Sequence, residues 1–111
     1  MTDSTDETTV HVIDSPTEGS ARVIVKGEID MFSCSTLRDS LAALDAAGRS
    51  RIAVDFAAVT FIDSAGIGVL VGALRKAKER GATFTVEGCR PPIRKVFEIT
   101  HLAHAFDAGE S

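Results

Sequence analysis

Phe61-Ile62-Asp63-Ser64-Ala65-Gly66-Ile67-Gly68 stands between a run that reads as a strand and one that reads as a helix, and it decides the fold. Before it, Arg51 to Phe56 places Ile52, Val54 and Phe56 at every second position, the period of a strand. After it, Ala65 to Arg80 carries Ile67, Leu70, Val71 and Leu74 on one helical face, and Gly81 stops the run. A strand passing into a helix is the opening of a β-α-β crossover, so the rest of the chain should repeat that alternation.

Upstream, Ser33 to Ala47 sets Leu37, Leu41 and Leu44 on one helical face and ends at Gly48. Ala21 to Lys26 contains Val23-Ile24-Val25, a continuous β-branched run expected of a strand covered on both faces. Thr9 to Ile13 alternates, with Val10 and Val12 on one side, and Asp14-Ser15-Pro16-Thr17-Glu18-Gly19-Ser20 is a turn signal that returns the chain antiparallel. Downstream, Thr83 to Glu87 alternates as an edge strand with Phe84 and Val86 inward. Pro91-Pro92 opens a last helix whose face is Ile93, Val96 and Phe97, and Leu102 to Phe106 is expected to close the core. The fold class is therefore α/β. It should be a small mixed sheet of four to five strands in progressive order, with an N-terminal antiparallel hairpin and helices mainly on one face. One domain over residues 9–106 is expected, with a disordered tail over 1–8 and a frayed end over 107–111.

Composition limits the function. The 111 residues suit one domain, and 44% hydrophobic with 25% charged residues is a globular balance. No apolar run approaches the roughly 20 residues of a membrane helix, and Met1 to Glu7 lacks the basic and apolar regions of a secretory signal, so a cytoplasmic protein is expected. A net charge of −4 argues against nucleic-acid binding, and the lack of Trp and Tyr against base stacking. The basic runs Arg75 to Arg80 and Arg90 to Lys95 read as solvated helix faces. Neither a phosphate-cradling glycine motif nor metal-ligand spacing is present, so no cofactor is expected. Cys34 and Cys89 read as free thiols near one edge of the sheet and form a candidate redox pair. Their strands would lie about 9–10 Å apart, beyond the roughly 7 Å that a disulfide spans without loop movement.

Ligands of such sheets meet the carboxyl ends of parallel strands. Three loops should gather there: Gly27-Glu28-Ile29-Asp30, Phe61 to Gly66, and Gly88-Cys89-Arg90-Pro91. Ser64 reads as a helix N-cap. Gly66 and Gly68 follow it, each costing about 1 kcal/mol of helix propensity, which points to bare backbone for close approach by another molecule. Free N–H groups and the helix dipole would favour a phosphate on Ser64, while Asp63 would repel both that phosphate and an acidic partner surface. A serine nucleophile is not favoured: the Gly-x-Ser-x-Gly elbow needs glycine where Ile62 stands, and His11, His101 and His104 lie away from the turn. Asp30 is a turn residue or, with Glu28, a surface acid recognised by a kinase or partner.

Gly27-Glu28-Ile29-Asp30, Val54-Asp55-Phe56, Phe61 to Gly68 and Ile93-Arg94-Lys95-Val96-Phe97 together resemble the STAS domain, especially stand-alone anti-sigma factor antagonists, over Thr9 to Phe106. The resemblance implies partner switching. The unphosphorylated antagonist binds an anti-sigma factor with serine-kinase activity and frees a sigma factor; phosphorylation releases it, and a metal-dependent serine phosphatase reverses the step. It implies Ser64 as phosphoacceptor, with Asp30, Asp63 and Gly66 in the recognition surface; Glu28, Ala65, Ile67 and Gly68 beside them are expected to complete the partner surface. A monomer or weak homodimer is expected, with no catalytic residue and no nucleic-acid or membrane partner. Ala65 stands where many relatives carry a second Ser, and Met31-Phe32-Ser33-Cys34 is less polar than expected, so Met31 and Phe32 should tune partner choice. The alternative reading is an accessory subunit of a membrane transporter ATPase, or a component of a stress-sensing scaffold.

Overall fold

The chain enters as β1 (Thr9–Ser15), turns through one 3₁₀ turn at Pro16–Glu18 and returns as β2 (Ser20–Ile29). Gly19 makes this turn possible: its φ of 69° lies in the left-handed region, and its N–H reaches the Pro16 carbonyl at 3.1 Å. The computed structural model describes residues 8–100 and 102. The two crossovers follow as α1 (Cys34–Ala46), β3 (Arg51–Ile62), α2 (Ser64–Glu79) and β4 (Thr83–Glu87), with α3 (Pro91–Ile99) last. Sheet order is β1-β2-β3-β4, antiparallel at the first pair and parallel at the other two. This is the mixed, progressive sheet expected from the sequence, with four strands.

Register builds the core. Val23, Val54 and Val86 are aligned across β2, β3 and β4, and all three are fully buried. Leu37, Leu41 and Leu44 of α1, with Leu70 and Leu74 of α2, cover that face. On α3, Phe97 meets Phe56 with ring centroids 6.4 Å apart. Each fully buried Leu or Phe contributes about 1.5–3 kcal/mol relative to exposure.

The opposite face of the sheet is polar, contrary to the expectation that β2 is covered on both sides. Arg22 is exposed there and pairs with Asp55 at 3.4 Å and Glu87 at 3.1 Å. The β-branched run misled because Ile24, between two buried valines, is only half-buried, while Arg22 and Lys26 on the same side are exposed. Alternation resumes once the flanking residues are included.

β3 also runs further than expected, to Ile62 rather than Phe56. Its buried large residues fall at 52, 54, 56, 59 and 62, so the step widens from two to three. Two register shifts explain this: Ile24↔Asp55 is followed by Lys26↔Ala58, and Gly27↔Val59 by Glu28↔Phe61. Each shift adds one residue to β3, a bulge that returns the next apolar side chain to the core side.

α2 sits slightly rotated from its expected face. Gly66, Leu70, Leu74 and Ala77 are buried, whereas Ile67 and Val71 are half-buried. Leu102 packs partly against the core, and its N–H bonds the Phe97 carbonyl at 2.7 Å. Of the tail expected over 1–8, residues 1–7 lie outside the described residues, as do the remaining closing residues 103–106, the end over 107–111, His101 and His104; Thr8 is described, and its hydroxyl donates to the Glu28 carbonyl. Among the described residues no helix is long and apolar enough to cross a membrane.

Candidate functional site

Two of the three expected loops meet at the carboxyl end of the sheet. Ile29 pairs with Ile62 as β2 and β3 finish, and the Asp63 N–H donates to the Ile29 carbonyl at 3.1 Å. The third loop is set back. The last β4 pair is Asp55↔Glu87, and β3 continues beyond it from Phe56 to Ile62. The loop from Gly88 to Pro91 therefore lies along the side of that overhang, with Arg90 and Pro91 beside Val59 and Thr60, and stops short of the Ser64 turn. Arg90 instead bonds the Ala57 carbonyl at 2.9 Å, on the exposed overhang of β3.

Asp63, not Ser64, caps α2. It has extended backbone angles (φ −109°, ψ −172°), and its Oδ1 accepts the N–H groups of Ala65 at 2.9 Å and Gly66 at 3.1 Å. Its Oδ2 accepts the Met31 N–H at 3.2 Å, and its carbonyl accepts Ile67 N–H at 3.0 Å. A carboxylate beats a hydroxyl at this place because it offers two acceptors and a negative charge to the positive helix end. Ser64 becomes the first helical residue. It is exposed, and its hydroxyl makes no hydrogen bond among the described residues.

This changes the electrostatics expected at Ser64. The N–H groups of Ala65, Gly66 and Ile67 are already occupied by Asp63, so the open anion cradle is absent. A phosphate on Ser64 would enter a helix start that already holds one anion.

Gly66 and Gly68 prove to have different reasons. A Cβ on Gly66 would lie 2.7 Å from Ile62 Cγ1, 2.8 Å from Ile29 Cγ2 and 3.2 Å from the Ile29 carbonyl oxygen. The close approach is therefore by the protein's own sheet, not by another molecule as expected. At Gly68 a Cβ would meet nothing within 4 Å.

Asp30 serves the turn. Its Oδ1 accepts the N–H groups of Phe32 at 3.0 Å and Ser33 at 2.9 Å, and its carbonyl accepts Cys34 N–H at 2.8 Å. The Ser33 N–H first, and then the Ser33 hydroxyl, hold the Asp30 carboxyl below the usual carboxylate range. The single Ser33 hydroxyl hydrogen is shared between that carboxylate, at 3.0 Å, and the Glu28 carbonyl, at 2.8 Å. This turn presents Met31 at 67% exposure and Phe32 at 85%, values reached by few large apolar side chains in a folded chain. Phe61, also exposed, lies opposite Glu28. Sequence reading missed Phe61 as a surface feature; the widened apolar step around it was the available signal.

Cys34 and Cys89 are both buried and unpaired. Burial pushes the Cys89 thiol up to about 11, only partly opposed by Arg94, so it is a poor nucleophile. Cys34 Sγ lies 3.7 Å from Nη2 of Arg38. Among the described residues no cluster of His, Cys, Asp and Glu could hold a metal ion.

Residues 14–106 match the family profile described as "Mlab, STAS domain". The chain belongs to the STAS domain family. This STAS domain is 31% identical over 90 residues to the anti-sigma-B factor antagonist of Bacillus subtilis (strain 168), covering 81% of this chain and 82% of the relative. A crystal structure of an anti-sigma factor antagonist from Mycobacterium paratuberculosis superposes with a TM-score of 0.81 at 28% identity, over 93% of this chain and 86% of that one. The Bacillus cell fate determinant SpoIIAA in its phosphorylated form superposes with a TM-score of 0.70, over 86% of each chain. At 22% identity that last likeness speaks for the fold alone. The resemblance and fold read from the sequence are thus the ones found.

Proposed function

We propose that this STAS domain is an anti-sigma factor antagonist. Unphosphorylated, it binds an anti-sigma factor serine kinase in the cytoplasm and so releases a sigma factor; phosphorylation of Ser64 ends the complex, and a metal-dependent serine phosphatase restores it. One observation carries the reading: the Ser64 hydroxyl is exposed and unbonded, on a turn fixed by the neighbouring Asp63. A kinase can take such a hydroxyl without first breaking any structure. The added charge of nearly −2 then sits beside the Asp63 carboxylate, at a cost on the order of 1 kcal/mol or more for each nearby acidic group of a partner. Glu28, Asp30, Ala65, Ile67 and Gly68 frame the same surface, and Met31 and Phe32 supply its apolar contacts.

The test is a purified kinase-type anti-sigma factor with ATP, followed by intact mass. Wild-type protein should gain one phosphate and Ser64→Ala none. Ser64→Glu should bind the partner at least tenfold more weakly, and Phe32→Ser should weaken binding without lowering the melting temperature. Labelling that persists in Ser64→Ala, or co-purification with a membrane transporter ATPase instead of a kinase, would overturn the proposal.

A further inference from the structure

Between α1 and α2 runs an open groove of about 440 Å³, within the size range of small-molecule sites. Its lining is apolar: Leu41 and Ala42 from α1, Val69, Gly72 and Ala73 from α2, and Ile52 from the sheet. Two features separate it from an ordinary crevice between packed helices. Gly68 and Gly72 both line it, and a Cβ at either would meet nothing within 4 Å. Helix-weakening residues are thus used twice where internal packing does not require them, and the groove stays open as a result.

The second feature is charge. Arg38 and Lys76 line the groove from opposite helices, and among the described residues neither lies within ion-pair distance of a carboxylate. The acid in the groove, Asp45, is held by Arg80 at 2.6 Å. Lys76 shares its end of the groove with the Asp45–Arg80 pair, whereas Arg38 stands over the Cys34 end, where no acidic residue lines the groove. In a chain of net charge −4, an apolar trough with an unopposed cation at one end is complementary to an amphipathic anion.

We propose that the α1–α2 groove binds a small amphipathic anion. Its carboxylate or phosphate head pairs with Arg38, and its aliphatic chain lies along Leu41, Val69 and Ile52. Arginine suits either head group, because its planar fork of donors matches both. This inference does not depend on phosphorylation of Ser64 or on any protein partner.

Decanoate, decyl phosphate and decanol, each below its micelle threshold, are titrated into ¹⁵N-labelled protein and followed by amide shifts and calorimetry. Decanoate or decyl phosphate should bind saturably and shift amides within 34–45 and 65–76, and the tighter of the two identifies the head group. Decanol should bind about tenfold more weakly. Arg38→Gln, an exposed position, should lower the anion's affinity to the decanol level and leave decanol unchanged. Gly72→Leu should block all three probes while the circular dichroism spectrum is retained. Non-saturating titrations, shifts centred elsewhere, equal affinity for decanol, or an Arg38→Gln protein that binds as wild type would each overturn the proposal.

Discussion

Gly66→Ala and Gly68→Ala are the same chemical change two residues apart on α2, and they should move stability in opposite directions. At Gly68 the new methyl meets nothing within 4 Å, so only the helix propensity term acts, stabilising by about 1 kcal/mol. At Gly66 the same gain is opposed by contacts of 2.7 Å and 2.8 Å with the β-branched side chains of Ile62 and Ile29, and of 3.2 Å with a backbone oxygen. Both isoleucines are buried at the ends of paired strands, so neither can step aside cheaply. Overpacking of this kind costs about 1–3 kcal/mol, leaving Gly66→Ala destabilised by up to roughly 2 kcal/mol. In a domain of this size 1 kcal/mol corresponds to roughly 4–8 °C of melting temperature. Urea and thermal denaturation followed by far-ultraviolet circular dichroism should therefore show the Gly68 variant several degrees above wild type and the Gly66 variant several degrees below. An unchanged urea m-value certifies that the comparison is of stability alone. The Ile29 carbonyl that would be pushed also receives the Asp63 N–H, so amide shifts at Met31 and Asp63 should accompany the Gly66 change and not the Gly68 change. A Gly66→Ala protein as stable as Gly68→Ala would refute the packing argument.

Three further outcomes follow from the same geometry. Asp63→Ala should lower stability by about 1–2 kcal/mol, while Asp63→Asn, itself a good cap, should lose less; two variants indistinguishable from wild type in denaturant would show the clasp to be inert. Because the folded Asp30 carboxyl titrates below its usual value, its contribution is full above the unfolded value near pH 4 and disappears as pH falls through the lower folded value; Asp30→Asn should flatten that part of the acid limb, and an unaltered limb would deny the hydrogen bonds their role. With the Cys89 thiol near 11, about one part in a thousand is thiolate at pH 8, so Ellman's reagent should react slowly with Cys89 in the native protein but rapidly with both thiols in guanidinium; immediate reaction of Cys89 in the native state would contradict its burial.

Much of the fold was legible because apolar spacing and turn chemistry agree along most of the chain. The α1 stripe at Leu37, Leu41 and Leu44 and the alternation of β4 lie where the pattern put them. The far half of β3 was not legible, since a bulge replaces the two-residue step by three, and Val59 and Ile62 then no longer resemble strand positions. That same overhang explains why the Cys89 loop does not reach Ser64, a distance no residue pattern encodes. At the turn, Asp63 and Ser64 are adjacent and both are capping residues, so composition could not rank them; backbone angles and two short bonds do. The role of Gly66 had one overlooked signal, its spacing of four from Leu70 and eight from Leu74, which puts it in the buried stripe.

The Asp63 carboxylate spans two consecutive loops, holding the start of α2 with one oxygen and the Met31 turn with the other. Because those loops are locked together before any encounter, little of their conformational entropy remains to be lost on association. A binding partner would meet a preformed tile, and its complex with the unmodified protein should form nearly as a rigid-body docking. Loosening Asp63 would then show itself first as slower association, with the same contacts formed at the end.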